Sequence, residues 1–387
     1  MAAFDLPRPE FMDTEETRMF EDMVDRFLDE NATPEVMRGW RDQGFVDQDL
    51  WRKAGQAGIL GASVPEAYGG SGLDFRFDAI VMERQGRKNA LNFAYSLHTT
   101  VVAPYLYHYA TPEQCREWLP PAVAGDTLLA VAMTEPGAGS DLQGMRTTAR
   151  RDGDHYVING QKTFISNGHG CSLVVVAAKT DPSAGAKGIS LFAVEVDKVE
   201  GFERGRLLDK LGQEGRDTVE LFFNDMRVPA ANLLGGVEGQ GFRMLMEQLP
   251  KERLVIAWQA MGMMEAALEV TAEHCKTRKM FGGTLFDQQN TKFKLAECKT
   301  QATVAKAFLY NCTERLLVGK LDAATASMAK LFVTEAQAFV VDECLQLFGG
   351  YGYMREYPIA EMYKDARAFR IYGGASEVMK LLIARSI

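Results

Sequence analysis

Hydrophobic spacing changes twice along the chain. Over Thr14–Asn31, Gln48–Gly58 and Phe75–Arg87, apolar residues recur at three- and four-residue steps with few breakers. This is the stripe of helices that bury one face. Thr111-Pro112-Glu113 reads as a helix start, and Leu119-Pro120-Pro121 as a stop. From about Leu128 the period becomes two. His155–Asn159 and Gln161–Ser166 flank Asn159-Gly160, a two-residue hairpin signal, and Asp152-Gly153 marks another turn. Cys171–Lys179, Ile189–Val196 and Thr218–Phe223 are β-branched or aromatic runs of strand length. After Gly235-Gly236 the helical period returns in Arg253–Arg278, Gln288–Val318 and Asp322–Phe348, long segments that suit an antiparallel bundle. The pattern predicts an α+β chain in three parts: helical over 1–127, β over 128–236, and a four-helix-bundle type over 237–387.

Length agrees, because 387 residues exceed one comfortable core. With 47% hydrophobic and 25% charged residues, the composition is that of a soluble globular protein. A formal charge of −9 without a basic cluster argues against a nucleic-acid partner. The six cysteines contain no CxxC pair and read as buried, reduced thiols, and the five histidines lack metal-ligand spacing. The first residues carry acids and prolines without an apolar signal core. The most apolar window, Leu254–Val270, is broken by Gln259, Glu265 and Glu269, so no membrane span is expected. No GxGxxG or GxxxxGK[ST] is present, which leaves a Rossmann fold and a P-loop unsupported. The expected setting is reducing: cytoplasmic for a bacterial chain, the mitochondrial matrix for a eukaryotic one.

Four words carry candidate chemistry. Val131–Asp141 reads VAMTEPGAGSD: proline fixes φ, glycines permit close backbone approach, and Thr134 and Ser140 offer hydroxyls. Such a loop can cradle a ring edge or a phosphate, or simply be a turn with a polar rim. Phe164-Ile165-Ser166-Asn167-Gly168 is an aromatic followed by a turn. Arg278-Lys279-Met280-Phe281-Gly282 ends a long helix, where basic residues also suit the helix dipole. Gln346-Leu347-Phe348-Gly349-Gly350-Tyr351-Gly352 has the look of a helix C-cap.

These words, with the closing stretch RIYGGASEVMKLLIAR (Arg370–Arg385), resemble the acyl-CoA dehydrogenase family over nearly the whole chain. The resemblance implies the acyl-CoA dehydrogenase fold and bound FAD. It places Val131, Met133, Thr134 and Gly139 along the flavin ring and Ser140 near both the ring and the CoA pyrophosphate arm. Phe164 would cover one ring face while Ser166 hydrogen-bonds it. The family sends the counterpart of Arg278 across a subunit interface to the FAD pyrophosphate, with Phe281 behind it, Gln289 near the adenine, and the backbone at Gln346, Gly349 and Gly350 against a neighbour's cofactor. A homo-oligomer follows, a tetramer made of two dimers. Ala375 stands where the family often has a threonine that contacts the cofactor, which predicts weaker FAD retention. Glu377 matches a cofactor-side position.

The reaction removes an α-proton and a β-hydride from a saturated acyl thioester. It needs a carboxylate in a dry site and hydrogen bonds to the carbonyl oxygen. In many relatives the catalytic glutamate follows the tyrosine of the closing stretch. Here Gly373 follows Tyr372; its amide could still bond the thioester carbonyl, but it has no carboxylate. Leu249-Pro250-Lys251-Glu252-Arg253-Leu254 resembles the position from which long-chain and isovaleryl-CoA dehydrogenases present their glutamate. Glu252 is therefore the expected base. Its alternative reading is a first-turn acid of a helix restarting after Pro250, stabilised by the dipole. Leu249, Arg253, Tyr372 and Gly374 would line the substrate site beside Ser140. Gly69-Gly70-Ser71-Gly72 lies where relatives shape the acyl pocket, and small residues there would admit a long or branched chain.

Oxidases of this fold carry an extra C-terminal helical domain, and a chain whose last residue is Ile387 reads as a dehydrogenase. The implied electron acceptor is an electron-transfer flavoprotein. Alternatives are an acyl group tethered to a carrier protein and a non-enzymatic DNA-binding relative, the latter disfavoured by the −9 charge.

Overall fold

The computed structural model describes residues 6–387. Helices α1 (Glu15–Asn31), α2 (Pro34–Gln43), α3 (Gln48–Gln56) and α4 (Phe75–Lys88) open the chain. Thr14 caps α1 through reciprocal bonds with Thr17, of 3.2 Å and 3.0 Å. A π-helical turn over Ser96–Val102 leads into α5 (Ala103–Tyr109), and α6 spans Pro112–Val123. Thr111 caps α6 as expected, but the helix continues through Pro120 and Pro121 to Val123. The prolines cost the last turn two amide donors, yet α6 stays seated because Trp118, Leu119 and Ala122 are buried.

The middle of the chain forms a seven-stranded mixed sheet: β1 (Leu129–Ala132), β2 (Thr148–Asp152), β3 (His155–Ser166), β4 (Leu173–Lys179), β5 (Ile189–Glu195), β6 (Phe202–Leu207) and β7 (Thr218–Pro229). The order is β1-β4-β2-β3-β7-β6, with β5 paired to β4. The expected hairpin at Asn159-Gly160 is not one. His155–Ser166 is a single strand with a register shift between Ile158 and Gly160, and the real turn is at Asp152–His155. Gly160 takes φ +150°, and a Cβ there would meet Thr147 Oγ1 at 2.4 Å. The glycine serves close packing, not a turn. Asn159 bonds instead to Asp225 on β7, at 2.9 Å in both directions.

The closing part holds α7 (Gly241–Thr277), a short hairpin of β8 (Lys279–Met280) and β9 (Gly283–Thr284), α8 (Gln289–Leu317), α9 (Ala323–Phe348), α10 (Pro358–Ala366) and α11 (Ser376–Ala384). One apolar cluster runs through α1, α3, α4 and α7–α10, so the opening helices and the bundle share a core. Helices α4 and α7 pass backbone to backbone: a Cβ on Gly86 would meet Gln259 O at 2.2 Å, and one on Gly262 would meet Glu83 O at 2.0 Å. That contact fixes α7 across the molecule. Separate clusters join α5 and α6 to β1 and β4, and fill the sheet's other face.

All six cysteines are free and buried. Among the described residues no group of histidine, cysteine and carboxylate side chains could hold a metal, and no helix is long and apolar enough to cross a membrane.

Candidate active site

Glu252 lies within α7. The helix does not restart at Pro250 but runs unbroken from Gly241 to Thr277, which places Glu252 about three turns inside. The dipole effect that would lower its pKa fades within the first turn. Burial acts instead: Glu252 is 6% exposed, and desolvation lifts its carboxyl to about 7. The Tyr105 hydroxyl donates 2.8 Å to Glu252 Oε1, and together with Arg253 and Lys251 it keeps the value from rising further. Tyr105 is itself buried and held well above ordinary phenol acidity, first by desolvation. It therefore remains a donor throughout the physiological range. Lys251 is engaged elsewhere, 3.3 Å from the buried Asp78 carboxylate, which also accepts 3.2 Å from Tyr95.

The turn Tyr372–Ala375 faces this stretch of α7. Gly373 takes φ +63° and Gly374 φ +100°, the left-handed region that glycine tolerates. A Cβ on Gly373 would stand 2.1 Å from Ile256 Cδ1. Ile256 is one helical turn beyond Glu252 and Leu249 almost one turn before it, so all three share a face. Among the described residues the Gly373 N–H donates to no carbonyl or side chain. An amide without a protein acceptor thus lies beside the helix face that carries the Glu252 carboxyl, raised to about 7. Lys330 on α9 donates 2.8 Å to the Gly374 carbonyl. Arg253, 4% exposed, donates 3.2 Å to Ser327 on α9. The Tyr372 ring lies 5.4 Å from Phe369, with the Arg216 guanidinium 5.9 Å from its centroid. Burial raises the Tyr372 phenol to about 12.

The VAMTEPGAGSD word leaves β1 and closes on itself: Glu135 and Ala138 exchange backbone bonds of 3.0 and 3.1 Å. Glu135 turns its carboxylate inward to accept 2.8 Å from Lys162, 3.0 Å from the Thr147 N–H and 2.6 Å from the Arg146 N–H. Lys162 also donates 3.0 Å to the Met133 carbonyl. Sequence reading missed this buried pair, although Glu135 lies inside the word and Lys162 two residues before Phe164. The Thr163 N–H donates 2.9 Å to the Thr134 carbonyl, which brings the loop against β3. Val131 is buried, Met133, Thr134 and Ser166 are half-buried, and Gly139 and Ser140 are exposed. Phe164 is 68% exposed, with φ +60°.

A second group gathers elsewhere. Arg278 stacks over Tyr351, 5.3 Å to the ring centroid, and so joins the RKMFG and QLFGGYG words. Leu285 N donates 2.7 Å to the Arg278 carbonyl, closing the hairpin from which α8 starts at Gln289. Phe281 is 88% exposed, and Gln289, Gln346, Gly349 and Gly350 are exposed too. Gly349 caps α9 at φ +59°, ψ −137°. Along α7, Arg278 is about 39 Å beyond Glu252 at 1.5 Å per residue. The two groups cannot meet around one small region of a single chain.

Near the turn, Ala375 is the N-cap of α11 and offers no side-chain bond. Ser376 does not replace the missing hydroxyl, because its Oγ donates 2.7 Å to Glu335. Glu377 is exposed in the first turn of α11. Gly70 closes a loop: a Cβ there would meet Val64 O at 2.0 Å, so its small size is used by the chain's own backbone.

Family models match throughout: "Acyl-CoA dehydrogenase, N-terminal domain" over residues 14–126, "middle domain" over 130–226 and "C-terminal domain" over 239–387. The long-chain specific acyl-CoA dehydrogenase, mitochondrial, of Rattus norvegicus is 46% identical over 371 residues, covering 95% of this chain and 86% of that one. The isovaleryl-CoA dehydrogenase, mitochondrial, of Pongo abelii is 35% identical over 377 residues, with 96% and 89% covered. The crystal structure of an acyl-CoA dehydrogenase from Geobacillus kaustophilus superposes with a TM-score of 0.94 at 43% identity, over 96% of this chain and 98% of that one. The chain belongs to the acyl-CoA dehydrogenase family, flavoprotein oxidoreductases that dehydrogenate acyl-CoA thioesters.

Proposed function

We propose that this enzyme oxidises a saturated acyl-CoA, long-chain or branched, to the trans-2-enoyl-CoA, with Glu252 as the base. The observation that carries the assignment is a buried carboxyl raised to about 7, on the helix face that packs against the free Gly373 amide. A base with a pKa near the working pH is ionised often enough to act and basic enough to take a weakly acidic proton. The Gly373 N–H would bond the thioester oxygen as enolate character develops. Leu249 and Tyr372 would flank the acyl group, Gly374 would shape the turn, and Ser140 would meet the CoA arm. Arg253 orders the pocket from behind through Ser327.

The residues present fit FAD. Gly137, Gly139, Gly349 and Gly350 have open space where a Cβ would lie, which admits close ligand approach. Thr134 is bonded through its carbonyl to Thr163, the residue before the exposed Phe164, and Arg278 offers a planar guanidinium suited to a pyrophosphate. Bound FAD would supply the acceptor for the β-hydride, and Glu252 would take the α-proton. The 39 Å between Glu252 and Arg278 along α7 supports one cofactor held by two chains, hence a homo-oligomer, which we read as a tetramer. An electron-transfer flavoprotein is the acceptor we read for the reduced cofactor.

Anaerobic titration with palmitoyl-CoA tests the reading. Bleaching of the yellow flavin is expected, and Glu252→Gln should keep its FAD while slowing reduction by roughly 10²–10⁴-fold. Near-normal reduction by that variant would eliminate Glu252. A flavin that stays yellow with palmitoyl-CoA but bleaches with a short, branched or carrier-tethered thioester would move the substrate class.

A further inference from the structure

Lys330 is fully buried, with 0% exposure, about two turns into α9. Among the described residues no carboxylate lies within ion-pair distance of it. Burial and then Arg253 push its ammonium down to about 8, while Glu335 and Glu377 act the other way. Arg253 makes no ion pair among the described residues, and the acid acting on it is its chain neighbour Glu252. It is 4% exposed, its bond goes to Ser327 one turn before Lys330, and its Nε has no partner. Two buried cations on facing helices, neither in an ion pair, form a costly arrangement for a fold to keep. A methionine or leucine would fill the space without that cost.

The bond that Lys330 does make shows what the charge accomplishes. Its Nζ donates 2.8 Å to the Gly374 carbonyl, across 44 residues of sequence. Gly374 belongs to a turn whose two glycines both have positive φ, backbone that lacks the restraint of a Cβ. That turn has few internal restraints. On one side Ile256 fills the place of a Gly373 side chain, and on the other Met379 Cε stands 2.5 Å from a Gly374 Cβ position. Without the lysine, the Gly374 carbonyl would be free to turn, and the Tyr372–Gly373 amide, two glycine hinges away, would lose the anchor that limits its direction.

We propose that Lys330 is a positioning residue for the reaction: its ammonium grips the Gly374 carbonyl and so fixes the direction of the Gly373 N–H that receives the thioester oxygen. The inference rests on the reading of Gly373 and Glu252 given above. It adds a group that touches neither substrate nor cofactor and works through the turn.

The test compares wild type, Lys330→Met and Lys330→Gln in the full-length holoenzyme. Each is checked first for FAD content, oligomeric state and thermal midpoint. The readouts are single-turnover flavin reduction by palmitoyl-CoA and enolate formation from 3-thia-palmitoyl-CoA. That analogue has an acidified α-proton, and its bound enolate gives a long-wavelength charge-transfer band with oxidised flavin. Removing the donor should leave KM within about threefold, cut the reduction rate by roughly 30-fold or more, and weaken the charge-transfer band at fixed pH. The glutamine keeps an uncharged donor and should recover part of both signals. A folded, FAD-replete Lys330→Met with wild-type rate and band would overturn the proposal. So would a rate loss that merely tracks lost FAD. If the methionine variant does not fold, the glutamine variant decides alone: a loss under twofold rejects the role, and a three- to tenfold loss with intact FAD supports it. Failure of the underlying function looks different, since wild type itself would then neither bleach with acyl-CoA nor bind the analogue.

Discussion

Ile256 Cδ1 occupies the space that a side chain on Gly373 would enter, 2.1 Å from the missing Cβ. Ile256 is also one turn from Glu252, so the same helix that brings the carboxylate blocks its alternative position on the turn. Moving the base back to the turn therefore takes more than one substitution. In a Glu252→Gln background, Gly373→Glu alone should restore little activity, because it meets Ile256 and adds about 1–2 kcal/mol of left-handed strain. Adding Ile256→Ala should raise the rate of anaerobic flavin reduction at least roughly tenfold over that double variant. Full rescue by Gly373→Glu without touching Ile256 would show that the turn moves freely.

The raised pKa of Glu252 fixes two pH dependences of opposite sense. Catalysis needs the ionised carboxylate, so kcat/KM should rise with pH and reach half its plateau near the value of about 7. Stability runs the other way. Between the unfolded value of 4.5 and about 7 the folded state binds more protons than the unfolded one, so stability falls as pH rises through that window. Above it, the buried charge costs on the order of 3 kcal/mol. Glu252→Gln should therefore melt higher than wild type at pH 8, and the gap should close by pH 5. Equal melting at both values would place the carboxyl in a wetter site than the one described.

Tyr105 separates these two effects. Its hydroxyl stabilises the ionised form of Glu252 at 2.8 Å. Tyr105→Phe removes that bond without emptying the space, so the acid limb of the kcat/KM profile should move to higher pH while the plateau changes less than about tenfold. A profile unchanged in position would mean that another donor holds the carboxylate.

Contiguous words and element types were legible in the sequence; contacts across it were not. The loop at Thr134–Ser140, the Arg278 word and the Gly349 cap carry their own local chemistry in adjacent residues. The three-part alternation of periods likewise depends only on spacing. Gly160 misled because asparagine–glycine marks both a turn and a place of close approach, and only Thr147 on the other side of the contact decides between them. Pro250 misled similarly: a proline interrupts one bond of a helix, but the burial of Arg253, Leu254 and Val255 beyond it keeps α7 continuous. Tyr105 on Glu252, Lys162 on Glu135 and Lys330 on Gly374 join residues 147, 27 and 44 positions apart, with no spacing rule to announce them.

Ala375 leaves α11 without a side-chain cap. Ala375→Thr should add an N-cap bond and raise the melting midpoint of apoprotein by an amount equivalent to about 0.5–2 kcal/mol. If the hydroxyl also reaches the cofactor, the FAD dissociation constant should fall by more than the stability change explains. An unchanged constant, measured by flavin fluorescence on the folded apoprotein, would limit the residue to capping.

The separation of about 39 Å along α7 between Glu252 and Arg278 predicts complementation between two inactive chains. Glu252→Gln keeps a cofactor site but has no base; Arg278→Ala keeps the base but should lose FAD affinity. In each homo-oligomer every site is defective. In a mixed dimer, one site combines Glu252 of the second variant with Arg278 of the first and is wild type in both, while the other carries both lesions. Co-expression with two affinity tags, followed by tandem purification, should therefore return FAD and turnover to about half the wild-type level per mixed dimer. Recovery requires that the cofactor be held by both chains. Mixed assemblies that form but stay as inactive as their parents would show that Glu252 and Arg278 do not serve one flavin.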